Sequence, residues 1–259
     1  EMANPAHLKL VEEWAGVLNW ASIAYSVLRP FCFHVYTWLA TSRSHGRCTP
    51  NSATKKLATL MIKILNREPP THPAYYHRGT TLGATDAAGY DSNTTTLGCL
   101  GGWWPPTGTA NKDEVLWFSI EIPRTETWAY KEHSSQRRIA ALELMGTVVL
   151  IKLMERENHI ARVHITTPVA TDNKGNAHGM GSSRFKKWPQ ADIMLELAIT
   201  CHMAHINIGA CHVKRGSNTW ADCLADNNHD GFNPDNRRHF DLGNTDNWII
   251  WNDLKQRQT

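Results

Sequence analysis

Four acids in this sequence stand where a folded chain could aim a carboxylate inward: Asp86 after a short β-prone run, Glu143 inside an apolar stretch of helical period, Asp172 at the end of another β-prone run, and Asp222 in NTWAD. Carboxylates drawn together repel, and their pKa values rise unless cations neutralise them. Hard oxygen ligands of this kind suit Mg²⁺ or Mn²⁺ rather than zinc. Two such ions about 4 Å apart can activate water, hold a phosphodiester and stabilise the leaving oxygen of an in-line displacement. The chemistry implied is hydrolysis of a nucleic-acid backbone. Glu143 matters most, because IAALELMG encloses it among apolar residues on a helix whose other polar groups can face outward. Taken singly, Asp86 and Asp172 would equally serve as turn or cap residues and Glu143 as a surface residue; only their convergence would make a site.

That convergence needs a packed core. The chain has 259 residues, 41% apolar and 20% charged, which excludes disorder throughout and allows one large domain or two small ones. The 27 Lys and Arg against 24 Asp and Glu leave a net charge of +3, too mild to name a partner by itself. Six cysteines without a staple-like rhythm read as reduced and mostly buried. No leader pattern argues for secretion, so an intracellular setting is expected, nucleus or cytoplasm, with an organelle left open. The most apolar stretch, residues 14–39, is split by Arg29 and Pro30 and interrupted by Asn19 and His34, so no membrane span is expected.

Apolar spacing predicts helices over residues 7–28, 30–39 and 53–65. A Pro-rich stretch follows, REPPTHP at 67–73, and the linker is placed at 69–78. Beyond it the pattern predicts strands near 83–86, 95–104 and 115–122, a long helix over 134–154, a strand over 161–170, a helix over 189–205 and a strand over 206–213. The order βββαβαβ predicts a mixed five-stranded sheet with flanking helices, an α/β fold preceded by a small all-helical segment. The divisions expected are a helical segment at 1–68, the linker, a sheet domain at 79–232 and a C-terminal extension at 233–259, with a short helix near the end.

Set against known families, residues 80–226 resemble the ribonuclease H domain, especially the version fused behind reverse transcriptase in retrotransposons of the tyrosine-recombinase class (DIRS-like). The matching motifs are TDAAG at 85–89, ALELMG at 141–146, TDNKGNAHG at 171–179 and HVKRGSNTWADCLAD at 212–226. The last is the most specific, since His212, Asn218 and Asp222 keep the family's spacing. The resemblance implies a ribonuclease H-like fold, two Mg²⁺ or Mn²⁺ ions held by Asp86, Glu143, Asp172 and Asp222, and His212 assisting turnover near the scissile phosphate. It also implies that Asn218 fixes the last loop or touches the substrate backbone, and that the substrate is the RNA strand of an RNA–DNA hybrid. VLNWASIAYSVLRPF at 17–31 is similar to the thumb of the preceding polymerase. No paired-Asp polymerase motif occurs, so no polymerisation is expected from this chain alone. The chain departs from the family in YDSNTTTLG, which lengthens the first hairpin and makes Asp91 a competitor of Asp86 as first ligand. Asp86 is preferred because it directly follows the apolar end of its strand.

Several residues extend the candidate site toward substrate. Asn173, beside Asp172, favours a sharp helical start, and Asn173 and Asn176 join the substrate-facing set. Arg184, Lys186, Lys187 and Trp188 could meet phosphates and stack on a sugar or base, and Lys214 and Arg215 lie in the His212 loop. Cys201, His202, His205, Cys211 and His212 could offer zinc ligands, but they lack a CxxC knuckle, and Cys201 and Cys211 read better as buried small groups. Trp14, Trp20 and Trp38 make the N-terminal helices a contact surface, for the sheet domain or for another polypeptide such as a palm-containing polymerase chain or a ribonucleoprotein assembly. The rival to a nuclease is a reused ribonuclease H-like domain that serves as a structural or RNA-binding subunit.

Overall fold

A computed structural model of the chain describes residues 6–66, 83–90, 95–106, 111–126, 128, 135–157 and 165–255. The linker at 69–78 and Asp91 therefore lie outside the described residues. The first element, β1 (Ala6–His7), pairs antiparallel with β2 (Arg47–Cys48), a small ribbon not anticipated from sequence. Between them run α1 (Leu8–Ala24) and α2 (Arg29–Ser42), and α3 (Ser52–Asn66) follows. The single helix expected over 7–28 is broken at Tyr25, whose φ of −110° and ψ of 88° leave the helical region. Arg29 Nε donates to the Ser22 carbonyl at 3.1 Å, satisfying an acceptor that the break would otherwise orphan.

The sheet is built from β3 (Gly83–Gly89), β4 (Thr96–Trp104), β5 (Leu116–Pro123), β6 (Ile165–Thr171) and β7 (Ile206–His212), in the spatial order β5-β4-β3-β6-β7. The first three strands form an antiparallel meander, and β3, β6 and β7 run parallel. This is the mixed five-stranded ribonuclease H-like sheet that the resemblance implies. The parallel part needs crossovers, which α4 (Ser135–Arg156), α5 (Lys174–Ser182) and α6 (Gln190–Met203) supply.

Alternation along the strands divides the core into two layers. Leu100, Trp104, Leu116 and Phe118 face α4 and α6, while Trp103, Val115 and Trp117 face α7 (Thr219–Ala225) with Ala221, Leu224 and Phe232. The C-terminal extension is part of the same body. Phe240, Leu242, Trp248 and Trp251 complete the first layer, whereas Ile250 and Leu254 pack with α1, α2, α3 and the α6 residues Leu195 and Ile199. The last helix, α8 (Trp251–Lys255), thus wedges between the sheet domain and the N-terminal helices. No described helix is long and apolar enough to cross a membrane.

A second buried acid controls this wedge. Glu196 sits in MLELAIT on α6, fully buried, and its carboxylate accepts from the backbone N–H groups of Ile249, Ile250 and Trp251 at 2.8–2.9 Å. Lys152 of α4 lies 2.8 Å from its other side. A buried carboxylate persists only when its lone pairs are satisfied and its charge is balanced; here four donors from two distant stretches do both.

The six described cysteines are free thiols, of which Cys48, Cys99 and Cys201 are buried, Cys32 and Cys223 half-buried and Cys211 exposed. Burial pushes the Cys201 thiol up to about 12, so it behaves as a small apolar group. Cys211, expected to be buried, instead lies on β7 facing solvent.

Candidate functional site

The site forms where the sheet splits. Strand β6 parallels β3 only through Gly83↔Val169 and Ala84↔Ala170 and then stops at Thr171, whereas β3 continues in register with β4 as far as Gly89↔Gly98. A crevice therefore opens at the carboxyl end of β6, where ligands of open α/β sheets bind. Asp86 lies on one side of it and Asp172 on the other. Glu143 descends from α4, and one carboxylate oxygen from each of the three falls within 4.8 Å of the others.

Two of the three carboxylates, Asp86 and Glu143, are fixed from behind. Asp86 Oδ1 accepts the Ala87 N–H at 2.8 Å. One turn beyond Glu143, the Thr147 hydroxyl meets that of Thr85 at 3.2 Å, pinning helix to strand beside both acids. Asn176 Nδ2 donates to Glu143 Oε2 at 3.1 Å and to the Ala140 carbonyl at 2.8 Å. Asn176 is itself placed by Asn173, whose side chain caps α5 by accepting the Asn176 N–H. The chain of contacts runs from the end of β6 through the α5 cap to the carboxylate on α4.

Burial and mutual repulsion set the charge state. Asp86 is 7% and Glu143 4% exposed. Desolvation pushes Asp86 up to about 7, helped by the charges of Asp172 and Asp222 and opposed by the Ala87 N–H and Arg215. Glu143 rises to about 8, first through desolvation and then through the charge on Asp86. Each opposes the other: whichever of the two ionises second must do so beside a charge already present. Such a trio gains by binding a cation.

The four expected metal ligands are not equivalent. Asp222 is exposed on α7 and stays outside the converging trio, although its charge reaches Asp86. It is brought near because Gly101, opposite Asp86 across β3 and β4, lets α7 press onto the strand. A Cβ at Gly101 would lie 2.3 Å from the Ala225 nitrogen and 2.6 Å from the Ala221 oxygen, so only glycine permits this approach. Asn218 Nδ2, buried, donates to the Thr85 carbonyl at 3.1 Å and ties the start of α7 to the residue before Asp86.

The residues expected to face substrate separate into three groups. Asn173 and Asn176 serve the scaffold, and Asn176, at 2% exposed, is closed to a ligand. Asn173 is half-buried at the cap of α5, where a polar residue suits contact with a ligand or with a neighbouring acid equally well. Arg184, Lys186 and Lys187 are exposed, but they follow α5, whose nine residues carry the chain about 13 Å from the Asp172 end. Arg184 there acts on the Cys32 thiol of α2. Trp188 packs half-buried against the main core. The third group remains at the crevice: His212 ends β7 opposite Thr171, exposed, and Lys214 and Arg215 follow. Arg215 Nε lies 3.1 Å from Asp172 Oδ2.

Sequence reading missed Asn176 as the partner of Glu143, the Thr85–Thr147 pair and the role of Glu196. A signal for Glu196 was present, since it too is a single acid in an apolar helix. Of the Cys and His residues weighed for zinc, Cys201 packs in the core, and among the described residues the group that converges like a metal site is the acidic trio.

No family model matches the chain, and no curated protein matches it. Among solved structures it is similar to an RNase H1 isolated from compost by a metagenomic approach, at 14% identity over 58% of this chain and 95% of that one, TM-score 0.39. It is similar also to the RNase H1 of the halophilic archaeon Halobacterium salinarum, at 13% identity over 58% and 97%, TM-score 0.38. A third is the N-terminal RNase H domain of a Mycobacterium tuberculosis protein, solved as a fusion with maltose binding protein, at 19% identity over 58% and 94%, TM-score 0.32. What defines the fold here is the strand order and direction of this chain itself.

Proposed function

We propose that this protein is a divalent-metal-dependent endonuclease that hydrolyses the RNA strand of an RNA–DNA hybrid, as part or remnant of a retroelement reverse transcriptase. The observation that carries the reading is the convergence of three poorly solvated carboxylates from β3, α4 and β6, two of them held above the ordinary carboxylate range by desolvation and mutual repulsion. The donor set, all hard oxygens and no thiolate or imidazole, fits Mg²⁺ or Mn²⁺. Asp86, Glu143 and Asp172 would hold the metal, with Asp222 contributing from the rim, and the bound ions would supply an activated water and stabilisation of the leaving oxygen. The remaining work falls to the chain. Asn176 holds Glu143 at a fixed angle, the Ala87 N–H holds Asp86, and His212 at the end of β7 accepts or returns a proton at the opening.

A second reading has one observation in its favour. Arg215 already supplies Asp172 with a cation, as a domain that kept its shape and lost its chemistry could do. Labelled hybrid, duplex DNA and duplex RNA incubated with Mg²⁺, beside the Asp172→Asn protein, separate the two. Hybrid cutting that the substitution abolishes supports the nuclease; tight hybrid binding with no cutting by the parent supports the structural subunit and overturns the enzymatic reading.

A further inference from the structure

The Asp172 side chain is only 5% exposed, yet its ion-pair partner Arg215 is 86% exposed. The Arg215 Nε meets the carboxylate from a short turn that begins at Arg215 and directly follows Lys214. Among the described residues Arg215 is the cation recorded against the acidic trio, and it feels Asp172, Asp86 and Asp222 together. A guanidinium that is nearly all in water is readily drawn off such a partner, since exposed pairs contribute little net stability. The same planar fork suits a phosphate as well as a carboxylate.

We propose that Arg215 is an exchangeable counter-cation for this site: it neutralises Asp172 while no divalent ion is bound, and once Asp172 is taken as a metal ligand it turns to a phosphate of the substrate backbone. This deepens the nuclease reading and rests on it. Its consequence is positive coupling. A hybrid phosphate that draws Arg215 away frees Asp172 for the metal, and metal at Asp172 frees Arg215 for the hybrid, each raising the affinity for the other by the same factor. A merely structural Arg215 would give neither effect.

The test uses the full chain, Arg215→Ala and, as a control for removal of a nearby charge, Lys214→Ala. Calorimetric titration with Mg²⁺ alone, without nucleic acid, is expected to show about fivefold tighter binding for Arg215→Ala, the scale of one exposed ion pair removed, and less than half that change for Lys214→Ala. Hybrid binding is then followed by anisotropy against salt. With divalent ions chelated, Arg215→Ala keeps the parent's salt dependence; with Ca²⁺ present, its slope is shallower by about 0.8, the value for one phosphate that the protein no longer neutralises. Equal Mg²⁺ affinity in parent and Arg215→Ala, or a slope change that ignores the divalent ion, overturns the exchange and leaves the nuclease reading standing. Failure of every variant to bind Mg²⁺ overturns both.

Discussion

Replacing Glu143 by Gln should stabilise the metal-free protein at alkaline pH while removing its activity. Glu143 titrates near 4.5 in an unfolded chain and near 8 in the fold. That gap of about 3.5 pH units, at about 1.4 kcal/mol each, would cost an isolated group nearly 5 kcal/mol once fully ionised. Relaxation and water entry at the crevice reduce this, and we take about half, near 2 kcal/mol at pH 8. The sign follows from the direction of the shift. A carboxyl raised by folding carries no penalty below 4.5, and the penalty accumulates as pH climbs toward 8. The amide keeps the acceptor that Asn176 Nδ2 uses, so little else changes. Urea unfolding of parent and Glu143→Gln with divalent ions chelated, at pH 5 and at pH 8, provides the assay. The variant should gain about 2 kcal/mol on the parent between the two, or about 4–8 °C in Tm for a domain of this size. Added Mg²⁺ at pH 8 should stabilise the parent and narrow the difference. A variant-minus-parent difference that is the same at pH 5 and pH 8 would show that Glu143 is not a desolvated, repelled carboxyl, and the case for a cation site would lose its physical basis.

Glu196→Gln should destabilise the protein by about 3 kcal/mol, because Lys152 is left without its counter-charge and one carboxylate oxygen becomes a donor facing backbone N–H groups; hydrogen exchange at Ile249, Ile250 and Trp251 should rise well above that of the β4 amides. Gly101→Ala should cost at least 2 kcal/mol by chemical denaturation and sharply reduce hybrid cleavage, since the methyl group drives α7 and Asp222 off the strand. Asn218→Ala should cost about 1–3 kcal/mol by thermal unfolding, because the buried Thr85 carbonyl is left unpaired. An unchanged Tm there would mean that α7 is held by its packing alone.

Much of the architecture was legible in the residue pattern. Helical spacing of Leu142, Met145, Val149, Leu150 and Leu153 located α4, and the runs around Thr85, Leu100 and Phe118 located the meander, because each element has to turn an apolar face to a common core. Boundaries moved by a few residues, and the break at Tyr25 was illegible, since the carbonyl it frees at Ser22 is satisfied by the Arg29 side chain reaching back, a contact that no local pattern records. The C-terminal extension was equally opaque. Trp248, Ile250 and Trp251 are apolar residues in a polar stretch, which says that they bury but not against what; the answer depends on a carboxylate on α6 some fifty residues earlier.

Two signals alike in sequence ended in opposite roles, and they mark the limit. ALELMG and MLELAIT each set one glutamate in an apolar helix, and sequence alone determines that each must be buried and must find compensation. Glu196 finds it within the chain, in Lys152 and three N–H groups. Glu143 finds the amides of Asn176 and Asn173 and two further acids, with Arg215 at the rim, and its charge is left to be balanced from outside. Residue type and helical period are local properties and survive in a linear string. The count of donors around a buried oxygen is summed over groups that only folding brings together, and so the tertiary structure alone decided which acid braces the fold and which waits for a cation.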